Sequence, residues 1–291
     1  MVKLKLNLNL GYGVGLPLDY NKDTPDYITD NIKLIHKLSK KFDCIQIMFT
    51  KSKLTSDEIK EIKNIIMNYK MVFIHGSYQI NMGGDLIPSH TDLYNTGIEI
   101  FLNEIVWATK INSSGIVVHM GKNVSNRYDP IHIYNNMVKF IVELFKKLRS
   151  LNIKLQILLE TPAGQGGEMC WNLEEFVDFI TRFRSQSFYS QLGICIDTCH
   201  IFQAGYDLNN SGVIKRVHQI LKPVKDKIKL IHLNDSFHSV GSRIDRHEQI
   251  GRGQIQTDKL IEFILPYKSI PMILETVGPY DKQIKLIKNQ N

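Results

Sequence analysis

The sequence predicts a single (β/α)8 barrel spanning residues 1–291, and three observations support this fold. Short apolar runs alternate with longer segments of helical period, and such repeats require parallel strands joined by right-handed crossovers. Eight apolar runs occur in 291 residues, enough to close a parallel sheet on itself. Six consecutive runs end in a lone ionisable residue, at His75, His119, Glu160, Asp197, His232 and Glu275. Their separations lie between 35 and 44 residues by subtraction, which fits one strand, one helix and two loops each time. In a barrel these endpoints converge on one face, where the C-terminal strand ends meet.

In chain order, Leu4–Leu10 alternates with period two and reads as the first strand, followed by a glycine-rich turn over Gly11–Pro17. Gly11, Gly13 and Gly15 have the wrong spacing for a dinucleotide-binding fingerprint, and Pro17 stands where its helix would open. A helical pattern covers Asp26–Lys40, the second strand is Cys44–Phe49, and a helix begins near Ser56, whose hydroxyl is a suitable cap. Further strands are expected at Met71–Ile74, Gly115–Val118, Lys154–Leu159, Leu192–Ile196, Ile228–Ile231 and Ile270–Leu274. Helices are expected at Asn95–Ile111, Pro130–Leu151, Asn172–Phe183, Ser211–Leu221 and Thr257–Leu265.

Composition narrows the class. A hydrophobic fraction of 43% with 22% charged residues describes an ordinary globular protein rather than a disordered chain. The formal charge of +7 favours polyanionic partners through counterion release. Cys44, Cys170, Cys195 and Cys199 form no disulfide framework, which suits a reducing, intracellular compartment, cytoplasmic or nuclear. Cys195 alternates inward along its strand and is read as core filler. No apolar stretch approaches the ~18 residues of a membrane span, and the N-terminus has no secretory segment, so no membrane partner is expected.

Six buried polar endpoints around one barrel mouth would each cost several kcal/mol unless paired, and bound cations are the natural partners. His200 lies three residues past Asp197, and Asp245 and His247 lie two apart, which enlarges the set to five His and four carboxylates. At three to four protein ligands per catalytic zinc, about three ions are implied. Mixed imidazole and carboxylate ligation suits zinc, with manganese or cobalt as substitutes, and clustered cations in a dry pocket suit phosphoryl chemistry.

The segments Gly193–Asp207, His232-Leu-Asn-Asp235-Ser and Gly241–Gly253 resemble the signature motifs of the endonuclease IV family of apurinic/apyrimidinic (AP) endonucleases. Members of that family are TIM barrels with three zinc ions that cleave duplex DNA on the 5′ side of an abasic site. The resemblance implies that His75 and His119 hold a first ion and that Glu160 bridges it to a second, completed by Asp197, His232 and Glu275. His200, Asp245 and His247 would hold the third. Glu160 and Glu275 are the expected catalytic carboxylates. Tyr78 matches an aromatic that enters the duplex, whereas Gln79 replaces an apolar residue of the bacterial members and Phe49–Leu54 lacks their arginine. Lys122 and Arg246 are expected to meet phosphates, and the chain is expected to act as a monomer.

Two other functions fit part of the pattern. Glu160, Asp197, His232 and Glu275 alone resemble the one-metal site of xylose-isomerase-like sugar isomerases and epimerases, which leaves the other five residues without a role. A non-catalytic DNA-binding barrel would tolerate loss of bridging ligands, yet all nine are present.

Overall fold

A parallel sheet closed into a barrel organises the protein, seen in a computed structural model that describes residues 9–16, 35, 37–49, 54–84, 93–124, 128–276 and 278–288, with only the backbone for 14–16 and 93–95. Its first seven strands are β1 (Leu10–Leu16), β2 (Cys44–Phe49), β3 (Met71–His75), β4 (Gly115–Val118), β5 (Ile157–Glu160), β6 (Leu192–Asp197) and β7 (Ile228–His232). An antiparallel hairpin of β8 (Asp235–Ser236) and β9 (His247–Glu248) follows outside the barrel, and β10 (Met272–Leu274) is the eighth barrel strand. Each barrel strand pairs in parallel with its neighbours, and β1 closes the ring by pairing with both β2 and β10. The expected (β/α)8 fold is therefore observed.

Strand alternation divides the interior in two. Outward-facing Ile45, Ile47, Ile74, Ile116, Val118, Ile194 and Ile196 join the large core beneath the helices. Inward-facing Cys44, Phe73, Val117, Leu158, Cys195, Leu230 and Ile273 form a separate apolar plug inside the barrel. Burying a residue such as Phe73 in this plug contributes about 1.5–3 kcal/mol. Two residues further along the same seven strands stand Gln46, His75, His119, Glu160, Asp197, His232 and Glu275. Strand parity thus brings a polar tier directly above an apolar one.

The helices are amphipathic and cover the outside. Among the described residues they are α1 (Ser56–Ile66), α2 (Leu93–Lys110), α3 (Pro130–Ser150), α4 (Leu173–Thr181), α5 (Thr198–Gln203), α6 (Ser211–Leu221), α7 (Thr257–Ile264) and α8 (Tyr280–Lys288). In α3 the buried residues Ile133, Met137, Phe140, Ile141, Leu144, Phe145 and Leu148 recur at helical spacing. None of these helices is long and apolar enough to cross a membrane.

Several local expectations require correction. The glycine-rich segment is not a turn but β1 itself, while most of Leu4–Leu10 lies outside the described residues. A Cβ on Gly11 would stand 2.6 Å from the Cys44 carbonyl oxygen and from Ile273 Cδ1, so glycine is what allows β1 to approach its neighbours. The cap of α1 is Thr55 rather than Ser56, because the Thr55 Oγ1 accepts from Glu58 N at 3.2 Å while Thr55 N donates to the Glu58 carboxylate at 2.7 Å. The fifth strand starts at Ile157, three residues later than expected. The helix expected over Asp26–Lys40 falls mostly outside the described residues; of those described, 35, 37 and 38 are helical.

Nothing in the hydropathy pattern pointed to α5 or to the β8–β9 hairpin. The hairpin is held at its base by Asp235. Its carboxylate accepts from the backbone N–H groups of Ser236, Gly251, Gly253 and Ile255 at 2.7–3.1 Å.

Candidate metal centre

The polar tier, together with α5 and the hairpin, brings all nine residues expected as ligands into one basin. They fall into three groups without cysteine, His75/His119/Glu160, Glu160/Asp197/His232/Glu275 and His200/Asp245/His247, and within each group one ligand atom per residue lies within 4.8 Å of all the others; Cys195 comes as near to Glu160 and His232, and Cys199 to Asp197 and His247. Glu160 belongs to the first two groups and is almost fully buried.

In the first group, Glu160 Oε2 lies 3.1 Å from His119 Nε2 and 3.5 Å from His75 Nε2. His75 Nδ1 donates to the Gly76 carbonyl at 2.8 Å, which turns its Nε2 lone pair inward. Glu168 lies behind His119, with Oε1 3.8 Å from His119 Nδ1 and 3.1 Å from Lys122 Nζ.

In the second group, His232 Nδ1 sits 2.7 Å from Glu160 Oε1, 3.0 Å from Glu275 Oε2 and 3.7 Å from Asp197 Oδ2. Asn234 Nδ2 donates to Asp197 Oδ2 at 2.8 Å and to Glu275 Oε2 at 3.1 Å.

The third group depends on a helix cap. Asp197 is the N-cap of α5, and its Oδ1 accepts from His200 N at 2.9 Å. The three-residue spacing follows from this bond, while Asp197 Oδ2 faces the basin. His200 Nδ1 donates to the Thr161 carbonyl at 2.9 Å, leaving Nε2 3.0 Å from Asp245 Oδ1 and 3.4 Å from His247 Nε2. Asp245 is positioned by its N–H to Gln165 Oε1 at 2.8 Å, and neighbouring Arg243 stacks at 3.7 Å on the Trp171 ring.

Charge within the basin is strongly coupled. Burial opposes ionisation of Glu160, but the surrounding imidazoles, led by His232, hold its carboxyl well below the usual range. Burial likewise opposes the cation of His200, yet Asp197 and Asp245 lift it well above an ordinary imidazole. Asp245 is held down at about 2, burial being outweighed by His200 and His247. Asp197 moves the other way, because burial, with Glu160 and Glu275 nearby, disfavours its charge more than the histidines restore it. Burial pushes the Cys195 thiol up to about 12, in keeping with its place in the apolar plug.

These residues fit divalent cations. Glu160 Oε2 is buried and has no hydrogen-bond partner among the described residues even though two imidazole nitrogens face it. An orphaned carboxylate oxygen between two such donors is what a cation would complete.

The residues expected to meet DNA stand at the rim rather than in the basin. Tyr78 is 68% exposed with its ring 5.4 Å from that of His75, Gln79 and Arg246 are exposed, and Lys122 is paired with Glu168. The segment 50–53, where the family's arginine is missing, lies outside the described residues. Sequence reasoning missed Gln46, Thr161, Glu168 and Asn234, all buried and bonded to basin residues or their backbone. Gln46 and Glu168 follow no strand-end rule, though a polar residue within the apolar run Cys44–Phe49 was a visible signal for Gln46.

Comparison with known proteins agrees with this geometry. A profile of the xylose isomerase-like TIM barrel family matches residues 33–290. The chain is 32% identical over 233 residues to the probable endonuclease 4 of Staphylococcus saprophyticus, covering 75% of this chain and 74% of that protein. It is 33% identical over 234 residues to the probable endonuclease 4 of Bacillus subtilis, with the same coverage. Against the endonuclease 4 homolog of Dictyostelium discoideum it is 30% identical but spans only 40% of that longer protein. The fold matches the crystal structure of endonuclease IV from Thermus thermophilus with a TM-score of 0.71 at 20% identity, covering 96% of this chain and 97% of that one. A D-tagatose 3-epimerase-like protein shares the fold with a TM-score of 0.66 at 18% identity, over 94% and 93% of the two chains. With all nine residues gathered at one barrel mouth and relatives alike over most of its length, the chain belongs to the endonuclease IV family of the xylose isomerase-like TIM barrels.

Proposed function

We propose that this protein is a zinc-dependent AP endonuclease of base excision repair, hydrolysing the phosphodiester 5′ to an abasic site in duplex DNA and leaving a 3′-hydroxyl. The observation that carries this proposal is the presence of three ligand groups, not one, in a single basin with Glu160 shared between two of them. Three cations fit the groups, zinc being favoured by the imidazole and carboxylate donors, with manganese or cobalt as substitutes. When bound, cations in such sites polarise phosphate oxygens and supply a nucleophile at neutral pH.

The chain's own residues perform the remaining tasks. Glu160 and Glu275 supply carboxylates to the floor and rim of the basin, and Glu275 is partly open to solvent there. Exposed Arg246 and the Lys122 ammonium, at the rim of the basin, would meet backbone phosphates. Tyr78 offers an aromatic face at the edge of the basin. An abasic nucleotide has lost its stacking and pairing, so turning it into the basin costs less than extruding an intact one, and selectivity follows. Since one chain supplies all nine residues, the monomer is a sufficient active unit.

A test pairs elemental analysis of purified protein with strand cleavage of abasic and intact duplexes, with and without a chelator. The expected result is about three zinc ions per chain and chelator-sensitive nicking of abasic DNA alone. The Glu160/Asp197/His232/Glu275 group also fits a one-metal sugar epimerase, a fold relative of this barrel. One ion per chain with ketose epimerisation and no nicking would favour that second function.

A further inference from the structure

Gln46 occupies a place in the polar tier that no strand-end rule predicts. It lies on β2, two residues beyond Cys44 of the apolar plug, and is 3% exposed. Its neighbour across β1 is Gly13, whose missing side chain leaves room beside Glu275. Gln46 Nε2 donates to Glu275 Oε1 at 2.7 Å, and Gln46 Oε1 lies 2.8 Å from His232 Nε2.

These two contacts fix three orientations in sequence. An ionised carboxylate only accepts hydrogen bonds, so the amide of Gln46 must turn its NH2 toward Glu275. Its carbonyl oxygen then faces His232 and accepts, which requires a proton on Nε2. Nδ1, which donates to Glu160 Oε1 at 2.7 Å and lies 3.0 Å from Glu275 Oε2, is therefore the nitrogen a metal would take, displacing its proton while Nε2 keeps its own. His75 and His200 are oriented the opposite way, Nδ1 donating to the backbone carbonyls of Gly76 and Thr161 and Nε2 facing inward. For those two the backbone sets the tautomer. For His232 a side chain sets it, and a side chain can be changed without moving a strand.

We infer that Gln46 is a positioning residue for the second ligand group, transmitting the orientation of Glu275 to His232 so that His232 presents Nδ1. This rests on the metal-binding role proposed above. Loss of a partner behind a ligating histidine weakens metal affinity by about 10–100-fold. Gln46→Leu should therefore weaken one ion of three by that factor and leave the others in place. Gln46→Glu retains an acceptor for His232 Nε2–H and should recover part of the loss.

The test is cadmium-113 NMR of the fully loaded wild type, Gln46→Leu and Gln46→Glu, with competitive chelator titration of each. Expected are three cadmium resonances in the wild type and, in Gln46→Leu, displacement and preferential loss of one while two persist. The two persistent resonances also report that the barrel has folded. Three unshifted resonances with unchanged affinity in Gln46→Leu overturn the role of Gln46 while leaving the metal centre intact. Equal weakening of all three ions, or equal loss in Gln46→Leu and Gln46→Glu, also overturns it. A wild type that takes up no cadmium refutes the metal centre itself.

Discussion

Replacing Glu160 with alanine is the sharpest perturbation of the basin, because Glu160 is shared between two of the three histidine–carboxylate groups. Structural zinc bound by four protein ligands is worth about 10–16 kcal/mol, or about 2.5–4 kcal/mol per ligand. Removing one ligand from each of two ions should thus weaken each by about 100- to 1000-fold. The third group, His200, Asp245 and His247, does not include Glu160 and should keep its ion. The assay is zinc counting by mass spectrometry after equilibration in zinc-buffered solution, alongside nicking of an abasic duplex. Glu160→Ala should retain about one ion, nick no faster than chelated wild type, and keep most of its salt-dependent affinity for DNA. Retention of three ions, or nicking at the wild-type rate, would refute the bridging role.

Other consequences can be tested independently. Burial pushes the Glu104 carboxyl up to about 7 against the hydrogen bond it accepts from Ser77 N at 3.1 Å. A raised carboxyl contributes its full stability below the unfolded value of 4.5 and loses it as pH rises toward 7, a loss of about 3 kcal/mol for this buried group. In denaturant titrations Glu104→Gln should be more stable than wild type at pH 8 and not at pH 4.5; an equal difference at both pH values would exclude the titration. Gly11→Ala places a methyl 2.6 Å from the Cys44 carbonyl oxygen and should destabilise the barrel by about 1–3 kcal/mol in thermal unfolding, and an unchanged melting temperature would disprove the close approach. Tyr78→Ala, at a side chain 68% exposed, should leave the melting temperature unchanged but weaken abasic-duplex binding by about 1–3 kcal/mol in fluorescence anisotropy. Undiminished binding would remove Tyr78 from the DNA interface.

The barrel and its polar endpoints were legible in the sequence because both follow from local rules. A buried parallel strand is a continuous apolar run, so its C-terminal end is visible as the first charged residue. What was not legible depended on neighbours. Gly11 and Gly13 look like a turn until Cys44 and Glu275 are seen against them. Gln46 is a polar residue inside its strand instead of at its end, and only the closed barrel turns it toward Glu275 and His232. Glu168 belongs to a loop, and only the fold brings it beside His119 and Lys122. The Asp197–His200 spacing was visible, but its cause, a helix cap, was not.

The polar tier joins strands that are far apart along the chain. His75 and Glu275 lie 200 residues apart in the sequence, and β1 meets β10 where the ring closes. Cations seated across Glu160, Asp197, His232 and Glu275 would fasten strands β5, β6, β7 and β10 to one another, in the manner of a clasp on a hoop. The unfolded chain has no such convergence, so ligand binding would draw on folding itself. Heat resistance should then become a gauge of free zinc, rising by about 1.4 kcal/mol of stability for every tenfold excess over the dissociation constant.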